Sequence, residues 1–177
     1  MPSGVVLHRI RAARDLPEHG VKCGDLGGWV ESTDNLSDRA WVSGNARVSG
    51  DARVFGRAQV SGDAWVYGDA QVYGNAQVYG NAYVLGDARV CAPQDILVIG
   101  PIGSENQWIT LARTDTGHHL NIGCWDGTLG ELAAEVDRRA TDWPAAHRAR
   151  WRDEYAAAEQ LMRHRADSWR NSGGGDQ

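Results

Sequence analysis

Residues Ala40–Val90 read AWVSGN-ARVSGD-ARVFGR-AQVSGD-AWVYGD-AQVYGN-AQVYGN-AYVLGD-ARV. A six-residue unit, A-x-V-x-G-[DN], recurs without insertion, and only Arg57 departs from its last position. Such an internal period decides the architecture before any local assignment. Ala-x-Val-x has the two-residue alternation of a short strand with one buried face. Val is β-branched and suits a strand. Gly followed by Asp or Asn supplies a corner, because these residues tolerate left-handed backbone angles. A short strand and a tight corner, repeated, predict a coil that stacks on itself.

The valine phase extends outward from this stretch. Backward it lands on Leu36 and Val30; forward it lands on Ile96 and Ile102. The expected helix therefore runs over 29–102, with rungs about 4.8 Å apart. The repeat resembles the hexapeptide-repeat, left-handed parallel β-helix family. That resemblance implies three hexads per triangular coil, about four coils in all, a left-handed wind and a trimeric assembly. It also implies that residues eighteen apart stack.

An open β-helix end exposes unpaired backbone and needs a cover. Residues 1–28 are expected to form this N-terminal cap, with a strand over Val5–Asp15 and a turn over Leu16–Lys22. After the repeat, Gln107–Thr114 and His118–Trp125 read as a hairpin turning at Asp115-Thr116-Gly117. Thr128 and Glu131 have the spacing of a capping box. Leu129, Leu132, Ala133 and Val136 then make an amphipathic helix, and Pro144 opens a second. On that helix Trp151, Tyr155, Ala158, Met162 and Trp169 form a stripe, interrupted by Arg165. The stripe packs on its own domain or makes an intersubunit seam. The expected C-terminal α+β appendage thus spans 103–170, and 171–177 is a glycine-rich disordered tail. The fold class is mainly β.

The GDLGGWV segment at 24–30, followed by NLS and the hexads, resembles a group of phage and prophage proteins of undefined function. The IGPIGS segment at 99–104 and GCWDGTL at 123–129 carry the same resemblance. It implies a fold and a phage-type setting, with no reaction attached.

The chain has 177 residues and a net charge of −5, and Lys22 is its only lysine. This balance does not favour nucleic acid or an acidic membrane as partner. Cys23, Cys91 and Cys124 are scattered, without C-x-x-C, as expected of reduced thiols in a cytoplasmic compartment. A phage-encoded protein would then act in the host cytoplasm. No apolar run has membrane-spanning length.

Stacking by eighteen sorts the outward positions into three walls. The first carries Trp29, Arg47, Trp65 and Tyr83, with Tyr67 alongside. Exposed aromatics interleaved with arginine have the composition of interface hot spots and suit cation–π contact. Oligomer interface, ligand groove and plain solvated wall are the three readings. Trp41 is expected on the outer side of another wall. Asp51, Asp69 and Asp87 fall in one corner column, where like charges need a cation or solvent between them. Gly123–Thr128 is expected to open a helix whose free N–H groups hold a phosphate. Ser104, Asn106, Arg113, Trp125, Gly127 and Thr128 are the candidate ligand residues there; the alternative is a capped helix start. His118 and His119 are adjacent and must face opposite sides of a strand. No nucleophile–base set and no zinc spacing occurs, so no catalytic residue, metal or cofactor is expected.

Many hexapeptide β-helices are acyltransferases, and that resemblance implies a histidine near the coils; residues 29–102 contain none. The expected function is a non-catalytic, oligomeric binding protein. It would sequester a nucleotide-like, phosphate-bearing signal molecule or a host protein and so counteract host defence. A structural or assembly protein is the alternative, and an acyltransferase the second.

Overall fold

The computed structural model describes residues 4–172. The chain divides into two units, residues 1–96 and 97–177.

In the first unit, β1 (His8–Arg11) and β2 (Leu26–Val30) precede nine two-residue strands. These are Trp41–Val42, Arg47–Val48, Arg53–Val54, Gln59–Val60, Trp65–Val66, Gln71–Val72, Gln77–Val78, Tyr83–Val84 and Arg89–Val90, β3 to β11. They pair in parallel with the strand eighteen residues on: Trp29↔Arg47, Arg47↔Trp65 and Trp65↔Tyr83 on one wall. Gln59 lies between Trp41 and Gln77 on the second, and Gln71 between Arg53 and Arg89 on the third. Backbone N–H groups donate to the carbonyl seventeen residues on, as in Trp29 to Ala46 and Arg47 to Ala64, both at 2.9 Å. This is a three-walled parallel β-solenoid.

Its interior is alanine and valine. Val42, Val48, Val54, Val60, Val66, Val72, Val84 and Val90 have no exposed surface, and the alanines from Ala46 to Ala88 have none either. Burying one valine side chain contributes about 1.5–3 kcal/mol. The six-residue phase thus becomes a dry core one side chain wide. Every corner glycine from Gly44 to Gly86 has positive φ, between 63° and 74°.

Two buried polar side chains flank the stack. Asn35, 2 % exposed, donates from Nδ2 to Gly50 O and Ala52 O, both at 2.8 Å, and accepts from Ser32 N–H. Replacing it with alanine strands two carbonyls, so Asn35→Ala should cost about 2 kcal/mol in urea unfolding. A loss under about 0.5 kcal/mol would show that those carbonyls find other donors.

At the other end, Asp95 Oδ2 accepts from Cys91 N–H at 3.0 Å and from Ala92 N–H at 2.9 Å. It also accepts from the Cys91 thiol at 3.0 Å. The two-residue rungs therefore stop at Val90. This corrects the expected end at Ile102: Ile96–Ile102 is strand β12 of a separate four-stranded sheet. The three sheets hold four, three and three parallel strands, and a parallel bridge from Leu36 to Val54 adds a rung to the third wall where the phase placed it; the coil makes about three turns where four were expected.

The cap forms as an antiparallel strand pair. β1 pairs with β2 through His8↔Val30 and Arg9↔Trp29, covering the open edge of the first wall. Ala12, Leu16 and Val21 cluster with Trp41, and Ile10 packs against them. Trp41 keeps its expected place on the outer side of its wall, paired with Gln59, but the cap over it leaves it only 5 % exposed. Glu18 pairs with Arg39, whose guanidinium holds the carboxyl down at about 2. The described part of 1–28 starts at Gly4, and residues 1–3 lie outside the described residues.

The second unit orders its sheet β12, β13 (Gln107–Arg113), β14 (His118–Ile122) and β15 (Trp125–Gly127). β13 and β14 form the expected hairpin, with Ile109↔Ile122 and Arg113↔His118. Helices α1 (Leu132–Ala140) and α2 (Ala145–Ser172) follow. The stripe residues Trp151, Tyr155, Ala158, Met162 and Trp169 are buried with Ile109, Leu111, Leu120 and Ile122 of the same chain. Trp143 stacks on Tyr155 at 5.9 Å and meets Trp151 edge-on at 5.5 Å. Of the two readings of this stripe, packing on the chain's own sheet is the one observed. Residues 171 and 172 continue α2 rather than starting a tail, and 173–177 lie outside the described residues.

Candidate functional site

The first wall builds a continuous ladder. Its rungs are strand residues whose neighbours point inward, so each side chain is held directly above the next. Arg9 of the cap lies over the Trp29 ring at 5.8 Å. Arg47 lies over the Trp65 ring at 4.8 Å. Trp65 and Tyr83 follow with ring centroids 5.6 Å apart. Cation and ring alternate from Arg9 to Trp65 before the ladder ends in two rings. Trp29, Arg47, Trp65, Tyr67 and Tyr83 are all half-buried, as flat stacked side chains are. Arg9 was not expected here. Its only signal was the cap strand itself, and its register depends on a bulged antiparallel pairing.

The third wall carries a smaller set. Phe55 and Tyr73 stack face to face at 5.0 Å with rings 5° from parallel, and Arg53 lies over Phe55 at 5.6 Å. The corner column Asp51, Asp69 and Asp87 is exposed. Another corner pairs Asn45 Nδ2 with Asp63 Oδ1 at 3.1 Å. Among the described residues no group of three or more His, Cys, Asp and Glu converges to hold a metal.

The ligand residues expected in the second unit are not brought together. Ser104 and Asn106 precede β13, whereas Arg113 ends it, about 20 Å away at strand rise. Trp125 and Gly127 belong to edge strand β15, paired with Ile122 and Leu120, and open no helix. Helix α1 starts only at Leu132. The Thr128 N–H and hydroxyl both donate to Glu131 Oε2 at 2.8 Å, so the chain's own carboxylate sits where the phosphate was expected. That hydrogen bonding also lowers the Glu131 pKa.

Ser104 does line a cavity of about 680 Å³, with Gln107, Cys124, Arg138, Trp143 and Trp151 among its walls. Beside it, Glu135 is 7 % exposed and ties down two arginines. Arg138 reaches it with two bonds of 2.7 Å, and Arg139 with one of 2.6 Å. These hydrogen bonds, Arg138 first, outweigh burial and bring the Glu135 carboxyl down to about 2. Arg139 also donates to Ile122 O at 3.1 Å. Burial pushes the Tyr155 hydroxyl above its ordinary value. The spacing of 135, 138 and 139 on a helix was readable; that it would be buried was not. A smaller cavity of about 250 Å³ contains Arg113, His118 and Arg170. There His118 Nε2 accepts from Leu129 N–H at 3.0 Å, and burial lowers its pKa.

The family model for the YdcK beta solenoid repeat matches residues 40–56, 58–74 and 76–91. The three matches begin eighteen residues apart, one per turn of the observed coil. The chain is a β-solenoid repeat protein. No curated protein and no solved structure matches it. The matched repeats cover the coils, while the cap and the second unit lie outside them. Among the described residues no helix is long and apolar enough to cross a membrane.

Proposed function

We propose that the protein is a non-catalytic binding module in which the solenoid's first wall joins copies of the chain. The observation that supports this reading is the order Arg9, Trp29, Arg47, Trp65, Tyr83 along one wall. A wall alternating cation and ring is self-complementary. A second copy displaced by one rung sets guanidinium groups against rings, and such contacts strengthen as water leaves. Identical surfaces that match themselves are what closed homo-oligomers use. Wall-to-wall pairing of this kind closes as a two-fold dimer, whereas the trimer that the resemblance to hexapeptide β-helices implies sets the wall of each copy against a different surface of the next.

The expected result is that the wild-type chain sediments as an oligomer and that Trp65→Ser with Tyr67→Ser shifts it to monomer. Unchanged sedimentation, or a monomeric wild type, removes the reading.

The resemblance to phage and prophage proteins directs the assembled module at a host protein or a nucleotide-like, phosphate-bearing molecule in the host cytoplasm. Recovery of an intact small molecule from heat-denatured, purified protein tests the second. The cavity at Ser104, with the free end of the Arg138 fork, is the place to map it. A structural role in a particle is tested by looking for the chain in purified virions. Coenzyme A binding would favour an acyltransferase instead.

A further inference from the structure

The β14–β15 ladder carries three Lewis-basic side chains on its face away from the helices. Leu120 and Ile122 belong to the aromatic core, so strand alternation turns His119 and Asn121 to the other face. Asp126 stands directly opposite Asn121 in the register. Opposed side chains on paired strands are within contact range, and diagonal ones remain within reach of long side chains.

His119 Nε2 lies 3.9 Å from Asp126 Oδ2. That gap is too long for a hydrogen bond. It falls inside the separation of two donors bound to one ion at about 2.1 Å each, roughly 3.4 Å at the tetrahedral angle and 4.2 Å in line. His119 Nε2 and Asn121 Oδ1 are buried and have no hydrogen-bond partner. Asn121 is 2 % exposed, and its Nδ2 is committed to Gly123 O at 3.2 Å and Trp125 O at 3.1 Å. Its oxygen is therefore held as the unsatisfied end. Native chains rarely leave buried acceptors orphaned without a use for them. Imidazole nitrogen, amide oxygen and carboxylate are together a donor set for a first-row divalent ion, with water filling the open positions.

We propose that His119 Nε2, Asn121 Oδ1 and Asp126 Oδ2 form a three-donor site for a divalent transition-metal ion such as Zn²⁺ or Mn²⁺. The site ties edge strand β15 to β14, and Asp126, more than half exposed, opens it to solvent.

Isothermal titration of the full, tag-free chain with Zn²⁺ and with Mn²⁺ tests this. One equivalent per chain is expected for at least one of them. Asp126→Asn removes the charge at an exposed position without repacking, and weakens binding about tenfold or more. His119→Ala does the same, whereas His147→Ala on α2 leaves affinity unchanged. Ca²⁺, which prefers six to eight oxygens, gives no saturable heat. The proposal is overturned by absent saturable binding of both ions, by unaltered affinity in Asp126→Asn, or by a water molecule between these atoms in crystals grown with metal.

Discussion

Gly62→Ala should lower the unfolding free energy of the solenoid by about 3 kcal/mol, and Gly80→Ala by only about half as much. Both glycines turn corners with left-handed backbone, φ 74° and 69°. Adding a methyl group costs each about 1–2 kcal/mol of backbone strain. They differ in what lies one coil on. A Cβ at Gly62 would stand 2.9 Å from Gly80 N and 3.1 Å from Gly80 O, both rigid backbone. A Cβ at Gly80 meets nothing within 4 Å. The overlap adds about 1–3 kcal/mol, as other forced overpacking does. Asp38 shows how a side chain is accommodated. It occupies the glycine phase at φ 58°, and its Oδ2 accepts from Gly56 N–H at 3.0 Å. Gly62→Asn, able to make the same bond to Gly80 N–H, should therefore lose less than Gly62→Ala. Urea unfolding of the three variants checks the order. Equal losses at Gly62 and Gly80 would mean that strain alone, and not coil-to-coil contact, sets the requirement for glycine.

The same corners explain what the sequence could and could not reveal. The valine phase makes the walls legible because burial on one side has a strict period. The end of the solenoid was also written, at Ala92-Pro93, where Gly followed by Asp or Asn belongs. Pro93 has no N–H and a fixed φ, and no corner of the repeated kind can form there. The apolar phase of Ile96 and Ile102 masks this, because a strand in another sheet also needs buried residues at even spacing. Trp41, outward but covered, shows a related limit. Position in the repeat fixes which way a side chain points, but not what the aperiodic cap lays over it.

The site divides along the same line. The ladder Trp29, Arg47, Trp65, Tyr83 follows from period alone and is observed in register. For the residues of the second unit, nearness along the chain is the signal the sequence offers. The extended β13 separates Ser104, which precedes it, from Arg113, which ends it, despite their closeness in sequence. Thr128 and Glu131 were rightly coupled, but their mutual hydrogen bonds consume the donors a ligand would need.

Glu135→Gln should destabilise the second unit by about 3 kcal/mol at pH 7 and by almost nothing near pH 2. The carboxyl titrates at about 2 in the folded chain against an ordinary 4.5. A depressed folded value means that the unfolded chain binds the proton more readily, and stability falls as pH falls. The contribution is complete above pH 4.5 and is lost as pH drops through about 2. Its upper size is the shift times 1.36 kcal/mol per unit, about 3 kcal/mol. The side chain is 6 % exposed, so solvent screens it little, although Arg138 at 68 % is well hydrated and Arg139 at 15 % is not. The amide keeps the shape and one acceptor but leaves the guanidinium of Arg139 without a counter-charge, the costly way to break a buried pair. Glu18, also at about 2, shares this acid window in the first unit, so total stability alone does not isolate Glu135. The difference between wild type and Glu135→Gln does, followed by the fluorescence of the tryptophans that pack on Tyr155 and its helix. A difference that stays constant from pH 7 to pH 2.5 would show that Glu135 acts through packing and not through its charge.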